Sequence, residues 1–280
     1  VPIVGDTSIH SSAVVKGGAQ LGHGVRIGPF CHVGANVVLG DNVELISGVT
    51  ILGHTSLGEG CRVYPGAVLG CDPQNHAHKG GRTTLEIGRN ATIREGVTMH
   101  VGSDNDRGRT TVGDDCSFLA YSHVAHDCSL GDRVTLTQGA LLGGHCQVGD
   151  AAILGGMAAV HQFVRIGHHA FVGGMTGVER DLIPFGMITG NRGKLRGLNV
   201  VGMRRSGMAR DEIRTVRAAY KMIFDPVTPL GANIEQARNA FPGSQAVQDI
   251  IAFMTSDARR KFVMPPVSGR TRPDDGDDED

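Results

Sequence analysis

Ala19-Gln20-Leu21-Gly22-His23-Gly24-Val25-Arg26-Ile27-Gly28-Pro29-Phe30-Cys31-His32-Val33 is the stretch that decides the fold. Leu21, Ile27 and Val33 stand six residues apart, and Ala19, Val25 and Cys31 precede each of them by two. Outward, the aliphatic series continues through Ile3, Ile9 and Val15 on one side. On the other it runs through Leu39, Leu45, Ile51, Leu57, Val63 and Leu69. The companion series holds Thr7, Ala13, Val37, Val43, Val49, Thr55, Cys61 and Ala67. Neither an α-helix nor a paired strand repeats every six residues, but a coiling parallel β-helix does. Three short strand segments, parted by tight corners, then close one coil of a triangular prism. The aliphatic points inward, and strand alternation turns the residue two before it inward as well. That second position stays small because the interior is narrow. Gly22, Gly28, Gly34, Gly40, Gly58 and Gly70 follow the aliphatic directly, and are expected to serve corners where the backbone leaves β geometry.

The register breaks after Leu69 and resumes at Ile87, Ile93 and Met99. A second break shifts it by one residue, and it then runs from Val112 through Phe118, Val124 and onward to Val178. The interruptions, residues 71–84 and 103–109, read as loops thrown out of a corner, where function tends to sit in a solenoid. Beyond Val178 the texture changes. Ile213, Val216, Tyr220 and Ile223 share one helical face, and residues 233–241 and 246–254 read as two more helices divided by Pro242-Gly243. The end, residues 274–280, is almost wholly acidic. The expected organisation is an all-β parallel β-helix over 1–190, a C-terminal α-helical domain over 191–265 and an acidic disordered tail over 266–280.

At 280 residues and 40% hydrophobic content, the chain can bury a solenoid core and one small helical domain. A net charge of -1 with no Trp leaves no nucleic-acid footprint. No apolar run spans a bilayer and no secretory signal stands out, so a cytoplasmic protein without membrane insertion is expected. Cys31, Cys61, Cys116, Cys128 and Cys146 occupy the small inward position and read as core; only Cys71 falls in a loop. No C-x-x-C spacing occurs, so no thiolate metal site is expected, and a reducing compartment fits.

Of thirteen histidines, His10, His23, His32 and His54 fall at outward positions of early coils and read as solvated. His100, His123, His126, His145 and His161 form a separate group. Three hexads make one coil, so residues 18 apart lie above one another, which stacks His126, Gly144 and Gln162 in a column with His145 beside Gly144. Asp127 follows His126 directly, and a carboxylate that reaches an imidazole makes it a general base; a corner is needed for neighbours to meet. Metal binding is the competing reading, because β-helical carbonic anhydrases bind zinc through three histidines. They use an H-x4-H pair, which is absent here.

Four strings carry a resemblance: Tyr121-Ser122-His123-Val124-Ala125-His126-Asp127-Cys128, Gly155-Gly156-Met157-Ala158-Ala159-Val160-His161-Gln162-Phe163, Gly173-Gly174 and Gly190-Asn191. From about Ile3 to Phe224 the chain resembles the UDP-N-acetylglucosamine O-acyltransferases that begin lipid A synthesis in Gram-negative bacteria. The resemblance implies a homotrimer of left-handed β-helices with active sites between subunits, and no metal or cofactor. It implies that His126 is the general base for the sugar 3-hydroxyl, that Asp127 supports it, and that the Gly144 N–H faces the oxyanion. The acyl donor would be a 3-hydroxyacyl chain on an acyl carrier protein. His123, His145, His161 and Gln162 match residues lining the sugar and acyl sites, Asn199 and Arg205 match nucleotide contacts, and Gly174 matches the position that limits acyl length. Arg165, Arg192, Lys194, Arg196 and Arg204 would offer a basic surface to the acidic carrier.

Departures from that pattern concern the acceptor. The family's Gln-Asp-Leu-Lys loop is Gln74-Asn75-His76-Ala77 here, so Gln74 and Asn75 remain the expected substrate contacts while the acid and lysine are gone. Val201 and Ser206 replace an acid and a second Arg. An N-acyltransferase acting on a 3-amino UDP-sugar is therefore the alternative, with a non-enzymatic β-helical scaffold behind it. The related N-acyltransferase of the same pathway carries an N-terminal uridine-binding domain, for which a repeat starting at Ile3 predicts no room.

Overall fold

The computed structural model describes residues 6–256 and 259–266; the acidic tail expected at 266–280 lies outside them apart from Pro266. Among the described residues, strands of two to five residues build three sheets of eleven, nine and eight strands. Consecutive strands never share a sheet within the coil; every third one does, always in parallel. Val14–Val15 pairs with His32–Val33, and that strand with Thr50–Ile51, so each coil sits 18 residues above the last. Across the two loops the step lengthens: Val68 pairs with Thr98, and Thr98 with His123. From His123 to Leu141 it is 18 again.

The hexad aliphatics and their small companions form one continuous core, from Ala19 and Leu21 to Val172 and Val178. Ile9, Ala13 and Val15 are only partly buried, as befits a first described coil with no packed neighbour on one side. All six thiols are free, and the five on the inward position are buried.

The glycines after the aliphatics do a different job from the one expected. Of Gly22, Gly28, Gly34, Gly40, Gly58 and Gly70, only Gly70 has positive φ. The other five lie outside the left-handed region, and four of them are small because the next coil is too close. A Cβ on Gly40 would lie 2.8 Å from Glu59 N, one on Gly58 2.6 Å from the Gly88 carbonyl carbon, and one on Gly28 would overlap Ile46 O. The left-handed corner falls later in most hexads, at Gly18, Gly24, Phe30, Asn42, Gly48, Gly60 and Gly66.

The coil ends in an antiparallel hairpin, Gly186–Thr189 with Lys194–Leu198, which occupies the start of the stretch assigned above to helices. The helices begin at α1 (Val200–Arg205), followed by α2 (Arg210–Ile223), α3 (Leu230–Ala240) and α4 (Gln245–Thr255). Asn199 caps α1 by accepting from Gly202 N, and Ser244 caps α4 by accepting from Val247 N. Ile213, Val216, Ala219 and Ile223 of α2 pack with Ile234 and Ala237 of α3 and with Val247 and Ile250 of α4 in a second core. Arg165 ties this unit to the prism. Its Nε donates to Asp181 Oδ2 at 2.7 Å, its Nη1 to Ser256 Oγ at 2.6 Å and its Nη2 to Phe253 O at 3.2 Å. With its guanidinium over the Phe253 ring, Arg165 belongs to the interior and not to the basic surface predicted for it.

Candidate active site

The strand His123–Val124 leads into a corner at Ala125-His126-Asp127. Asp127 adopts φ 60°, and this left-handed turn lets two consecutive side chains meet where a strand would have parted them. His126 Nδ1 donates to Asp127 Oδ2 at 2.8 Å, and both side chains are buried. The second loop fixes the carboxylate, since Ser103 N donates to Oδ1 and Oδ2 at 3.1 and 3.0 Å. Asp127 N donates to Thr110 Oγ1 at 2.9 Å. A carboxylate cannot donate to Nδ1, so the imidazole proton sits on Nδ1 and Nε2 carries the lone pair.

Gly144 stacks on His126 through the hydrogen bond from His145 N to His126 O, 3.0 Å. A Cβ on Gly144 would lie 2.7 Å from His126 Cε1 and 2.8 Å from Nε2. Any side chain there would displace the ring. Among the described residues the Gly144 N–H donates to no group. A proton-accepting nitrogen and a free N–H donor thus come from successive coils at one corner.

His145 sits at the same corner with φ 63°, its ring edge-on to His126 at 4.9 Å and stacked on Phe163 at 4.3 Å. Its Nδ1 lies 2.7 Å from Asp106 Oδ2 and 3.9 Å from Asp127 Oδ2. Burial pushes its pKa down, against the pull of Asp127 and Asp106. His123 Nδ1 meets Thr98 Oγ1 at 2.7 Å, and its ring is edge-on to His100 at 4.9 Å. Burial, with His100 adding repulsion, takes His123 down to about 4. His100 is lowered by burial too, and its Nδ1 is buried without a partner.

The remaining expected residues divide. Gln162 is exposed and continues the column below Gly144, with Phe163 N bonded to Gly144 O at 3.0 Å. His161 is exposed beside it, its Nδ1 accepting from Arg260 Nη2 at 2.7 Å. Asn75 reaches the site indirectly, donating to Ser103 Oγ at 3.2 Å, whereas Gln74 is exposed on the first loop. Beside them, His78 Nδ1 lies 3.1 Å from Asp104 Oδ1 of the second loop, and the backbone N–H of Lys79 donates to the same carboxylate at 3.1 Å. Gly174 is exposed on a different edge, between Val172 and Met175, where a Cβ would come 3.3 Å from Gly156 O. Asn199 and Arg205 line a separate cleft of about 500 Å³ with Arg133, His169, Phe171 and Val201. That cleft follows the corner of Arg133, Ala151 and His169, one corner along from Asp127, His145 and Phe163.

Arg259, Arg260 and Asp106 were not singled out in the sequence. Arg259 lies over the Phe163 ring at 4.6 Å. Phe163 itself was legible, being 18 residues from His145 within a quoted string; the two arginines arrive from nearly a hundred residues away with no periodic signal.

Residues 181–263 match the family described as "Udp N-acetylglucosamine O-acyltransferase; Domain 2". The acyl-[acyl-carrier-protein]–UDP-N-acetylglucosamine O-acyltransferase of Mesorhizobium japonicum is 56% identical over 274 residues, covering 98% of each chain. The protein of the same name from Brucella ovis is 54% identical over 262 residues, 94% of each. The crystal structure of Francisella novicida UDP-N-acetylglucosamine acyltransferase superposes with a TM-score of 0.89 at 33% identity, covering 93% of this chain and 95% of that one. The shared fold is a left-handed parallel β-helix with C-terminal helices.

Proposed function

We propose a reaction from the premise that this chain belongs to the acyl-[acyl-carrier-protein]–UDP-N-acetylglucosamine O-acyltransferase family. It moves an acyl group from acyl carrier protein to UDP-N-acetylglucosamine, the first step of lipid A biosynthesis. The acyl group is a 3-hydroxyacyl chain and the acceptor is the sugar 3-hydroxyl. The observation that carries the chemistry is the placement of His126 Nε2 against Gly144, with Nδ1 held by Asp127.

Nε2 takes the proton of the 3-hydroxyl as its oxygen attacks the thioester carbon. Negative charge builds on the thioester oxygen, for which the free Gly144 N–H is the available donor; a donor so placed lowers such a barrier by roughly 2.7–4 kcal/mol. The tetrahedral centre collapses, the C–S bond breaks, and the imidazolium gives its proton to the departing thiolate, releasing the carrier thiol. Asp127 stabilises that imidazolium and holds the tautomer. His123, depressed to about 4, stays neutral and offers hydrogen bonds without charge. The His126–Asp127 pair thus handles the proton and the Gly144 N–H the oxyanion.

The cleft of Asn199 and Arg205 lies one prism corner away from His126, so a single chain does not close the site. A homotrimer that sets one subunit's Asn199–Arg205 corner beside a neighbour's His126 would join them, with Arg205 available to the pyrophosphate. Arg180, Arg192 and Lys194 line a cleft at the end of the prism and suit an acidic carrier protein. Among the described residues no helix is long and apolar enough to cross a membrane.

His126→Ala tests the reading. Acyl transfer, followed by mass spectrometry of the UDP-sugar with 3-hydroxyl and 3-amino acceptors both offered, should fall about 10²–10⁴-fold with the assembly's mass unchanged. Retained turnover would remove His126 as the base; preference for the 3-amino sugar would reassign the acceptor.

A further inference from the structure

The corner that holds the base also holds more ligand atoms than proton transfer needs. His126 Nδ1 and His145 Nδ1 both face Asp127 Oδ2, at 2.8 and 3.9 Å, and Asp106 Oδ2 stands 2.7 Å from His145 Nδ1. Ligand atoms of His126, Asp127 and His145 all fall within 4.8 Å of one another. Four ligands around a tetrahedral zinc, at roughly 2.0–2.2 Å each, stand about 3.3–3.5 Å apart. For His126, Asp127 and His145 the 2.8 and 3.9 Å separations bracket that value, while Asp106 touches the group through His145 alone and would have to move in from the loop as the fourth ligand. His145 Nδ1 is buried and lacks an aligned hydrogen bond despite its closeness to Asp106.

We propose that His126, His145, Asp127 and Asp106 form a divalent transition-metal site whose occupation switches the enzyme off. Two imidazoles and two carboxylates suit Zn2+ and are too nitrogen-rich for Ca2+ or Mg2+. Two carboxylate charges balance the ion's two, which removes the main cost of holding it in a buried corner. The inhibition follows from the tautomer. A metal on His126 Nδ1 takes the lone pair there, and the one ring proton moves to Nε2. Nε2 then has a hydrogen where the 3-hydroxyl proton must go. No bond in either substrate changes and no electron is transferred; removing the ion restores the original tautomer.

This switch rests on His126 being the base, but the site itself does not. The metal-free full chain is titrated with Co2+ alone, read by visible absorption, and with Zn2+ alone, read by calorimetry. One ion per chain is expected, with the intense bands of tetrahedral cobalt, and Asp106→Asn should weaken binding at least tenfold. Each enzyme is compared with its own metal-free rate: Asp106→Asn should retain that rate when zinc is added, while wild-type enzyme loses turnover with zinc and regains it with chelator. Equal zinc affinity for wild type and Asp106→Asn, or full turnover of the zinc-loaded enzyme, would overturn the proposal. An active His126→Ala would instead sink the base reading and leave the cobalt titration to decide the site.

Discussion

In the coils before the first loop, the left-handed corner falls mainly to residues with little or no side chain: Gly24, Gly48, Gly60 and Gly66, with Asn42 and Phe30. In the coils after the second loop the same position carries Asp115, Tyr121, Asp127, Arg133, His145, Ala151, Met157, Phe163, His169 and Met175, and Gly139 is the only glycine among the described residues there. Both halves obey one hexad rule in the core, so the difference is not about packing. A residue with a Cβ gives up about 1–2 kcal/mol in this conformation. The later half accepts that strain repeatedly, and among its strained corners are Asp127, His145 and Phe163, which build the site, and His169, which lines the cleft of Asn199 and Arg205. Local strain that the surrounding coils over-determine is thus concentrated where side chains must be aimed.

The sharpest way to probe this contrast is to restore bulk at a place where the later half has none. Gly144→Ala should cost about two orders of magnitude in turnover, because its Cβ would press on His126 Cε1 and Nε2. Steady-state rates alongside circular dichroism check it, and a near-normal rate would mean that the ring has room to yield.

Acid should separate the halves next. His100, His123, His145, His168 and His169 all have pKa values lowered by burial, and all lie beyond residue 98. Their folded values fall below the unfolded one, so in that window the unfolded chain binds more protons and stability rises with pH. Stability is complete above about pH 6.5 and declines as pH falls; for His123 the decline runs down to about 4. Amide exchange across that range should show strands after residue 98 losing protection before those of residues 8–63. Simultaneous loss would dissolve the distinction.

The smallest effect comes from exchanging one corner of each kind. Gly24→Ala adds a Cβ at φ 65° that would lie 2.6 Å from Asn42 Oδ1, and should destabilise by about 1–2 kcal/mol. Ala151→Gly relieves similar strain but adds backbone entropy to the unfolded chain, leaving a gain under about 1 kcal/mol. Denaturant midpoints of both variants settle it, and shifts of the same sign would break the comparison.

The core and both loops were legible in the sequence because a solenoid writes its geometry along the chain: Leu21, Ile27 and Val33 repeat what Leu39 and Leu45 repeat. The column of His126 and Gly144 followed from the same count, and the dyad's contact needed only the corner that φ at Asp127 provides. What stayed hidden has no period. α1 spans six residues, too short for a helical pattern, and Lys194–Leu198 forms a strand only through its hairpin partner. Asp106 near His145 and Arg259 over Phe163 depend on where a loop and a distant segment come to rest. The glycines after each aliphatic were visible, but their reason, the backbone of the next coil, lies 18 or more residues away.

The carboxylate of Asp127 has a consequence for how this enzyme can be remodelled. It grips Ser103 N with both oxygens, one of which also binds His126, and Ser103 in turn accepts from Asn75. Lys79 N and Gly81 N, on the first loop, donate to Asp104 of the second. The two loops are therefore one transplantable part and not two. A chimaera that imports residues 72–83 from a relative while keeping 101–108 would inherit mismatched seams, and the misfit would end at His126; a graft of both together would not.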